Sequence, residues 1–248
     1  DTTLNAFEDV PYNFNAADFG LTDVDDNPAN DLQSVIITTL PVDGILELSG
    51  VAVTAGQEIS LADIPNLTYT SALNEYGTGY ADFTFQVRDD GGTVDGGIDL
   101  DATPNTITFD VTSVNDAPEG TDNTLTTLED TPLTFSAADF GFSDPNDSAS
   151  PNVMQSVIIS TLPGNGILEL SGVAVTTGQE IALADIPNLT FTPTLNEYGV
   201  AYTDFTFQVR DDGGTDNGGV DISTGETITF SRTLSDVIFK NSFESPGN

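Results

Sequence analysis

The chain repeats itself at the length of a whole domain, and that repeat limits what it can fold into. Gly44–Thr54 reads GILELSGVAVT, and Gly166–Thr176 reads the same eleven letters. Asp82–Thr93 (DFTFQVRDDGGT) returns as Asp204–Thr215, an offset of 122 residues (204 − 82). Near the front of the unit, Glu8 and Glu129 are 121 residues apart (129 − 8). Such a period is too long for a solenoid turn of about 20–50 residues and fits an independent domain. The repeat therefore predicts two copies of one domain in series, spanning 1–118 and 119–236, followed by a strand-like tail over 237–248. Domains in series build length or repeat a surface more readily than they build one active site.

Each copy is long enough to close a single core. With 38% hydrophobic residues, including 15 Phe, the composition is that of a folded chain rather than a disordered one. The charge is lopsided: 40 Asp and Glu against 4 Lys and Arg, a formal net charge of −36. A chain this acidic repels itself at low salt. It also repels phosphate backbones, so nucleic acid is excluded as a partner. The absence of Cys removes disulfides and thiolate metal sites. The absence of His removes the commonest acid–base residue. No apolar run reaches the length of a membrane-spanning helix. The sequence opens at Asp1 without Met or a visible signal peptide, as either a processed mature chain or a fragment would.

Apolar residues alternate with period two between turn residues, which is the strand signature. In the first copy the predicted strands are Ser34–Leu40, Gly44–Leu48, Gln57–Leu61, Asn66–Thr70, Ala81–Arg88 and Asn105–Val114. Val10–Asn15 adds an edge strand interrupted by Pro11. Phe83, Phe85 and Val87 point to one face, as do Ile107, Phe109 and Val111. Leu61–Pro65 is at most one helical turn. Seven short strands with frequent turns predict an all-β Greek-key sandwich in each copy. Asn115–Gly120 is a short linker stiffened by Pro118.

Several blocks recur in order in both copies. The linker Val114-Asn115-Asp116-Ala117-Pro118 is followed by Leu128-Glu129-Asp130-Thr131-Pro132 and then by Phe140–Asp147 (FGFSDPND). After these come Leu195–Gly199 (LNEYG) and Asp204–Gly214. In these blocks the chain resembles the bacterial cadherin-like (Ig-like) tandem repeats of large secreted surface adhesins. The resemblance implies two Ig/cadherin-like sandwiches in a linear rod, with calcium at the junction. Carried over residue by residue, it implies Glu8, Glu75, Asn115 and Asp116 as ligands from the first copy. From the second it implies Asp144, Asn146 and Asp211. Two positions depart from the family pattern. The usual Asp-x-Asp is Asp144-Pro145-Asn146, which offers a neutral oxygen. The second linker Asn is Ala117, which offers only a backbone carbonyl.

Ca²⁺ requires six to eight hard oxygen ligands, several of them carboxylates. The sequence supplies Asp23, Asp25 and Asp26; Asp89 and Asp90; Asp144, Asn146 and Asp147; and Asp211 and Asp212. Close carboxylates repel one another, and a divalent cation removes that penalty. Against this reading, Asp-Gly and Asn-Pro pairs are ordinary turn formers. No EF-hand loop is present. Glu129, Glu197 and Asp236 repeat the positions of Glu8, Glu75 and Asn115 at the far end of the second copy. Together with Asp23, Asp25 and Asp89 they make half-sites that a head-to-tail neighbour would complete.

Arg88 and Arg210 hold equivalent positions and are expected to form structural salt bridges, to Asp82 and Asp204 or a neighbouring acid. Tyr69, Tyr76 and Tyr80 are expected to pack at the core or its edge rather than to form a sugar-stacking platform. No nucleophile elbow, phosphate loop or dinucleotide fingerprint appears, and the reading is non-enzymatic. After Phe230 the copies diverge into a tail, with Val237, Phe239 and Phe243 as its large apolar residues. The expectation is a secreted, calcium-rigidified structural or adhesive module of a bacterial surface or biofilm matrix. Its partners would be surface glycans or other matrix proteins. The alternatives are a filament subunit that self-assembles head-to-tail through the tail, and a carbohydrate-binding module.

Overall fold

In the computed structural model, residues 1–23, 26, 28–147 and 151–233 are described. The chain divides into two compact units that change over between Asp116 and Ala117. Among the described residues, the regular elements of each unit are strands and short 3-10 turns.

The described residues of unit 1 form nine strands: β1 (Thr2–Phe7), β2 (Tyr12–Asn13), β3 (Leu32–Ile37), β4 (Ile45–Leu48), β5 (Val51–Ala52), β6 (Glu58–Ser60), β7 (Leu67–Thr70), β8 (Gly77–Asp89) and β9 (Asn105–Thr112). They form a five-stranded sheet in the order β1-β9-β8-β3-β6 and a four-stranded sheet in the order β2-β7-β4-β5. Most successive strands change sheets, which is Greek-key connectivity. Unit 2 repeats the plan with β10 (Asn123–Leu128), β11 (Leu133–Thr134), β12 (Met154–Ile159), β13 (Ile167–Leu170), β14 (Val173–Ala174), β15 (Glu180–Ala182), β16 (Leu189–Thr192), β17 (Gly199–Asp211) and β18 (Glu226–Thr233). Its sheets run β10-β18-β17-β12-β15 and β11-β16-β13-β14. The fold is thus two tandem Ig/cadherin-like β-sandwiches.

Alternation along β8 and β9 makes the core. Phe83, Phe85, Ile107 and Phe109 are buried on the inner face, against Val35, Ile37 and Leu46. Tyr69 from the opposite sheet stacks on Phe109 with ring centroids 3.9 Å apart, and Phe191 on Phe230 at 3.8 Å. Face-on packing this close needs a small residue beside the ring. Gly44 has φ +80°, and a Cβ there would lie 2.4 Å from the Thr70 carbonyl oxygen and 2.8 Å from the Tyr69 ring.

The structure corrects the expected strand boundaries. The first strand is Thr2–Phe7, not Val10–Asn15, of which only Tyr12–Asn13 is extended. Thr2–Phe7 lies on a sheet edge, where Ala6 is the only fully buried residue, so its pattern carries little inward signal. It pairs with β9 in parallel, from Thr2 against Ile107 to Phe7 against Thr112. That pairing fixes the geometry of the acidic ends, because β1 and β9 finish at the same pole.

Two 3-10 turns shape the opposite pole. Ala16–Phe19 is capped by Asn15, whose side-chain oxygen accepts from the Ala17 N–H at 3.0 Å, while Asp18 accepts the Asn15 N–H at 2.8 Å. This reciprocal box satisfies orphan donors at the turn's start and drives Phe19 into the core. Ahead of Phe140, Asp139 likewise accepts from the Ser136 N–H at 2.7 Å, and also from Ser136 Oγ at 2.9 Å.

Candidate functional site

The acidic residues gather at the two poles of each sandwich because the loops that carry them end there. At one pole of unit 1, β1 and β9 end and β8 begins. Glu8, the loop Ser71–Tyr76 and the residues after β9 therefore converge. Glu8 is only 1% exposed. Its N–H donates to the Thr112 carbonyl at 3.0 Å, and its Oε1 accepts the Val114 N–H at 2.9 Å. Its second oxygen, Oε2, is buried with no hydrogen-bond partner. A buried carboxylate oxygen left this way carries the desolvation cost of its charge uncompensated.

Asp9, which the sequence reading passed over, holds the neighbouring loop. Its Oδ1 accepts the Asn74 N–H at 3.1 Å, and its own N–H donates to Ser71 Oγ at 3.3 Å. The available signal was the repeated Glu-Asp pair at 8–9 and 129–130, since Asp130 bonds the Asn196 N–H at 2.8 Å in the same way. Glu75 is exposed, and its Oε2 accepts from the Tyr80 hydroxyl at 2.8 Å. Burial, and then that hydrogen bond, push the Tyr80 phenol up to about 12. Glu197 and Tyr202 repeat the pair at 2.6 Å. Asn115 and Asp116 are half-buried.

The other pole collects the remaining candidates. Asp23 Oδ2 accepts the Asn30 N–H at 2.7 Å, and Asp144 Oδ2 accepts the Asn152 N–H at 2.6 Å. Asp89 and Asp211 accept the N–H groups of Gly91 and Gly213 at 2.7 and 2.8 Å. Each acid thus closes a turn, as the turn-former reading requires. Two features go further. Asp144 Oδ1 is buried with no hydrogen-bond partner. Asp211 is 1% exposed, and Asp147 beside Asn146 is 6% exposed. Asp25 and Asp236 lie outside the described residues, as does the tail 237–248.

Among the described residues, no three or more acidic side chains are gathered closely enough to hold a metal ion by themselves. The donor chemistry nevertheless suits a hard cation. Every candidate ligand is an oxygen, and Glu8 Oε2 and Asp144 Oδ1 each lack the partner a buried anion needs.

The far pole of unit 2 differs from that of unit 1. Thr127 pairs with Arg232 where Ala6 pairs with Val111, so an arginine occupies an inward core position. Arg232 is 3% exposed. Its guanidinium lies 4.8 Å above the Tyr202 ring, Nη1 donates to the Thr194 carbonyl at 3.1 Å, and Nη2 is 3.9 Å from Asp130. A fixed cation thus sits beside Asp130 and over Tyr202, the ring whose hydroxyl donates to Glu197. The inward parity of β18 was the legible signal for it.

Arg88 bonds Glu58 at 3.0 Å and Asp99 at 2.9 Å. Arg210 bonds Glu180 at 3.0 Å and also pairs with Asp221. Asp82 and Asp204 are not the partners: six residues along one strand separates side chains by about 20 Å, whereas neighbouring strands lie side by side. Tyr69 is fully buried in the core and cannot form part of a sugar-stacking surface. A cavity of about 470 Å³ in unit 1 opens at the pole of Asp18 and Asp89.

Neither a family model nor a curated protein sequence matches the chain. Solved structures similar to it include cadherin tandems. Human mucin-like protocadherin EC1-2 is 15% identical with a TM-score of 0.34, covering 94% of this chain and 96% of that one. Human CDH23 EC21-23 is 14% identical with a TM-score of 0.38, covering 94% and 72%. Drosophila N-cadherin EC1-4 is 13% identical with a TM-score of 0.39, covering 93% and 49%. No helix among the described residues is long and apolar enough to cross a membrane.

Proposed function

We propose that the chain is a non-enzymatic, extracellular structural or adhesive module, stiffened by calcium and carried on a bacterial surface or in a biofilm matrix. The observation that carries this reading is Glu8. It is a buried carboxylate beside the start of the linker, with one oxygen spent on Val114 and the other lacking a partner. A cation supplied there would offset the desolvation cost that the fold itself leaves open. In this reading Glu8, Glu75, Asn115 and Asp116 serve from the first unit, and Asp144, Asn146 and Asp211 from the second. Ala117 would contribute its carbonyl. The resemblance of the sequence blocks to secreted adhesin repeats supports the extracellular setting. The charge of −36 supports a role among cations rather than nucleic acids.

Calcium should raise the melting temperature by mass action, with about 2.7 kcal/mol gained at a hundredfold excess over the dissociation constant. Magnesium should substitute poorly, because it holds its water and prefers compact octahedral sites. Glu8→Gln keeps the shape and the bond to Val114 but removes the charge, and it should shrink the calcium response. Equal melting temperatures in chelator and in millimolar calcium would refute the proposal. Small-angle scattering should show a wider range of conformations in chelator; an unchanged profile would remove the stiffening role.

A further inference from the structure

Asparagine is followed by glycine twice in the chain, at Asn165-Gly166 and at Asn217-Gly218, and both pairs lie in the second copy. At the matching positions the first copy has Asp43-Gly44 and Asp95-Gly96. A glycine has no Cβ to shield its backbone nitrogen from the side chain before it. An Asn-Gly pair can therefore close on itself and lose ammonia without a catalyst. The two pairs are alike in sequence, but the fold places them in unlike turns.

Asn165-Gly166 lies between β12 and β13, and its turn is built into the sandwich. The Asn165 N–H donates to Thr203 Oγ1 at 3.3 Å, and the Gly166 N–H to Thr194 Oγ1 at 3.1 Å. A Cβ on Gly166 would lie 2.7 Å from the Phe191 ring and 2.8 Å from the Thr192 carbonyl oxygen. Rotating this peptide breaks the Gly166 bond and lifts the backbone off a buried ring. Asn217-Gly218 follows β17 in a 3-10 segment, Asp216–Gly218, that buries none of its side chains. Asn217 is exposed, and the turn is closed by the Gly219 N–H donating to the Asp216 carbonyl at 3.0 Å. Opening one exposed turn lies at the low end of local unfolding. Asp95 holds nearly the same conformation, φ +58° and ψ +22° against +56° and +24° at Asn217. Aspartate and asparagine both tolerate this left-handed region, so the fold already accepts the acid in this turn.

We infer that Asn217 is a site of spontaneous deamidation and that the folded chain protects Asn165 from the same reaction. The Gly218 backbone nitrogen attacks Asn217 Cγ. An N–Cγ bond forms, the Cγ–Nδ2 bond breaks, and Nδ2 leaves as ammonia with the proton of the Gly218 N–H. Water then opens the cyclic imide. Cleavage of the new N–Cγ bond gives aspartate. Cleavage of the original peptide bond to Gly218 gives isoaspartate, with an extra methylene in the main chain. The net change is one water taken up and one ammonia released. It adds a negative charge to a chain already at −36. Aspartate at 217 gives the second copy the residue of the first, whereas isoaspartate lengthens the turn that the Gly219 bond closes.

The test uses the full chain in chelator, so that metal binding does not enter. The folded protein is incubated in mildly alkaline buffer, digested and mapped by mass spectrometry. Conversion at Asn217 should run about tenfold or more faster than at Asn165, and protein isoaspartyl methyltransferase should label position 217. In concentrated urea the two pairs should convert at comparable rates, since sequence alone then governs. Thr194→Ala removes the acceptor of the Gly166 N–H and should speed conversion at Asn165. Equal rates at the two sites in the folded chain would overturn the inference. So would an Asn217 that stays intact while the unfolded chain converts.

Discussion

Two charged residues show how a single position sets the behaviour of a pole. Glu226 replaces Asn105 of the first copy. Burial raises its pKa above 4.5, against opposing hydrogen bonds from Ser223, Thr224 and the Gly120 N–H. A carboxyl with a raised folded pKa contributes stability that is fully present below its unfolded pKa and is lost as pH rises through the folded one. Glu226→Gln should therefore be least distinguishable from the parent near pH 4 and gain on it as the pH rises from there towards neutrality. Parallel denaturation curves for the two proteins at both ends of that range would contradict the burial argument. Arg232 acts in the opposite sense, as a fixed cation in a core position. Removing one member of an ion pair is costly when it strands the other as a buried charge, but the Asp130 side chain is 37% exposed and keeps its water when Arg232 goes. Arg232→Val restores the residue found at Val111 and should cost little stability. It also removes the charge 3.9 Å from Asp130 that opposes a cation at this pole, so calorimetry should find more calcium bound per chain. Unchanged stoichiometry and affinity would mean that the guanidinium does not stand in for a metal.

At the scale of strands and loops, the legible parts of the fold are those whose pattern is forced by burial on one face. β8 and β9 alternate because Phe83, Phe85, Ile107 and Phe109 all face the same core, and that alternation is visible in the letters. β1 was not legible, since an edge strand that buries little beyond Ala6 has no inward period to read. The two-residue β5 is too short for any periodicity. The acids of the candidate site were legible as turn clusters, and the poles on which they gather follow from the Greek-key order. Their individual duties were not, because a carboxylate that caps a loop and one that lacks a partner look the same in sequence. Asp23 and Asp144 share a loop bond, but only Asp144 is recorded with a buried, partnerless oxygen. The aromatic stack offers a direct check on the core. Phe109→Ala removes the ring that Tyr69 covers and should destabilise unit 1 by about 3–5 kcal/mol. Phe230→Ala should do the same to unit 2. A loss below about 1 kcal/mol in either would show that the stack is not a main support of its sandwich.

Over the whole molecule, the largest electrostatic fact is −36 charges on 248 residues, and it confounds any simple reading of a calcium effect. Self-repulsion weakens a compact state, and any salt relieves it. At 0.1 M ionic strength charges more than about 10 Å apart are largely screened. Sodium chloride alone should therefore raise the melting temperature from its low-salt value and then level off as the screening length falls below the spacing of the carboxylates. A buried oxygen such as Glu8 Oε2 or Asp144 Oδ1 is poorly reached by diffuse counter-ions, because screening acts on exposed charge. Calcium at matched ionic strength should consequently add a further rise on the sodium plateau, and that increment should fall in Glu8→Gln and in Asp144→Asn. Asp82→Asn, at an exposed strand position, should alter the sodium response slightly and leave the increment intact. If calcium and sodium curves superimpose at equal ionic strength, the acidic poles are screened surfaces and not binding sites. The two sandwiches would then owe their tolerance of so much charge to the paired cores alone.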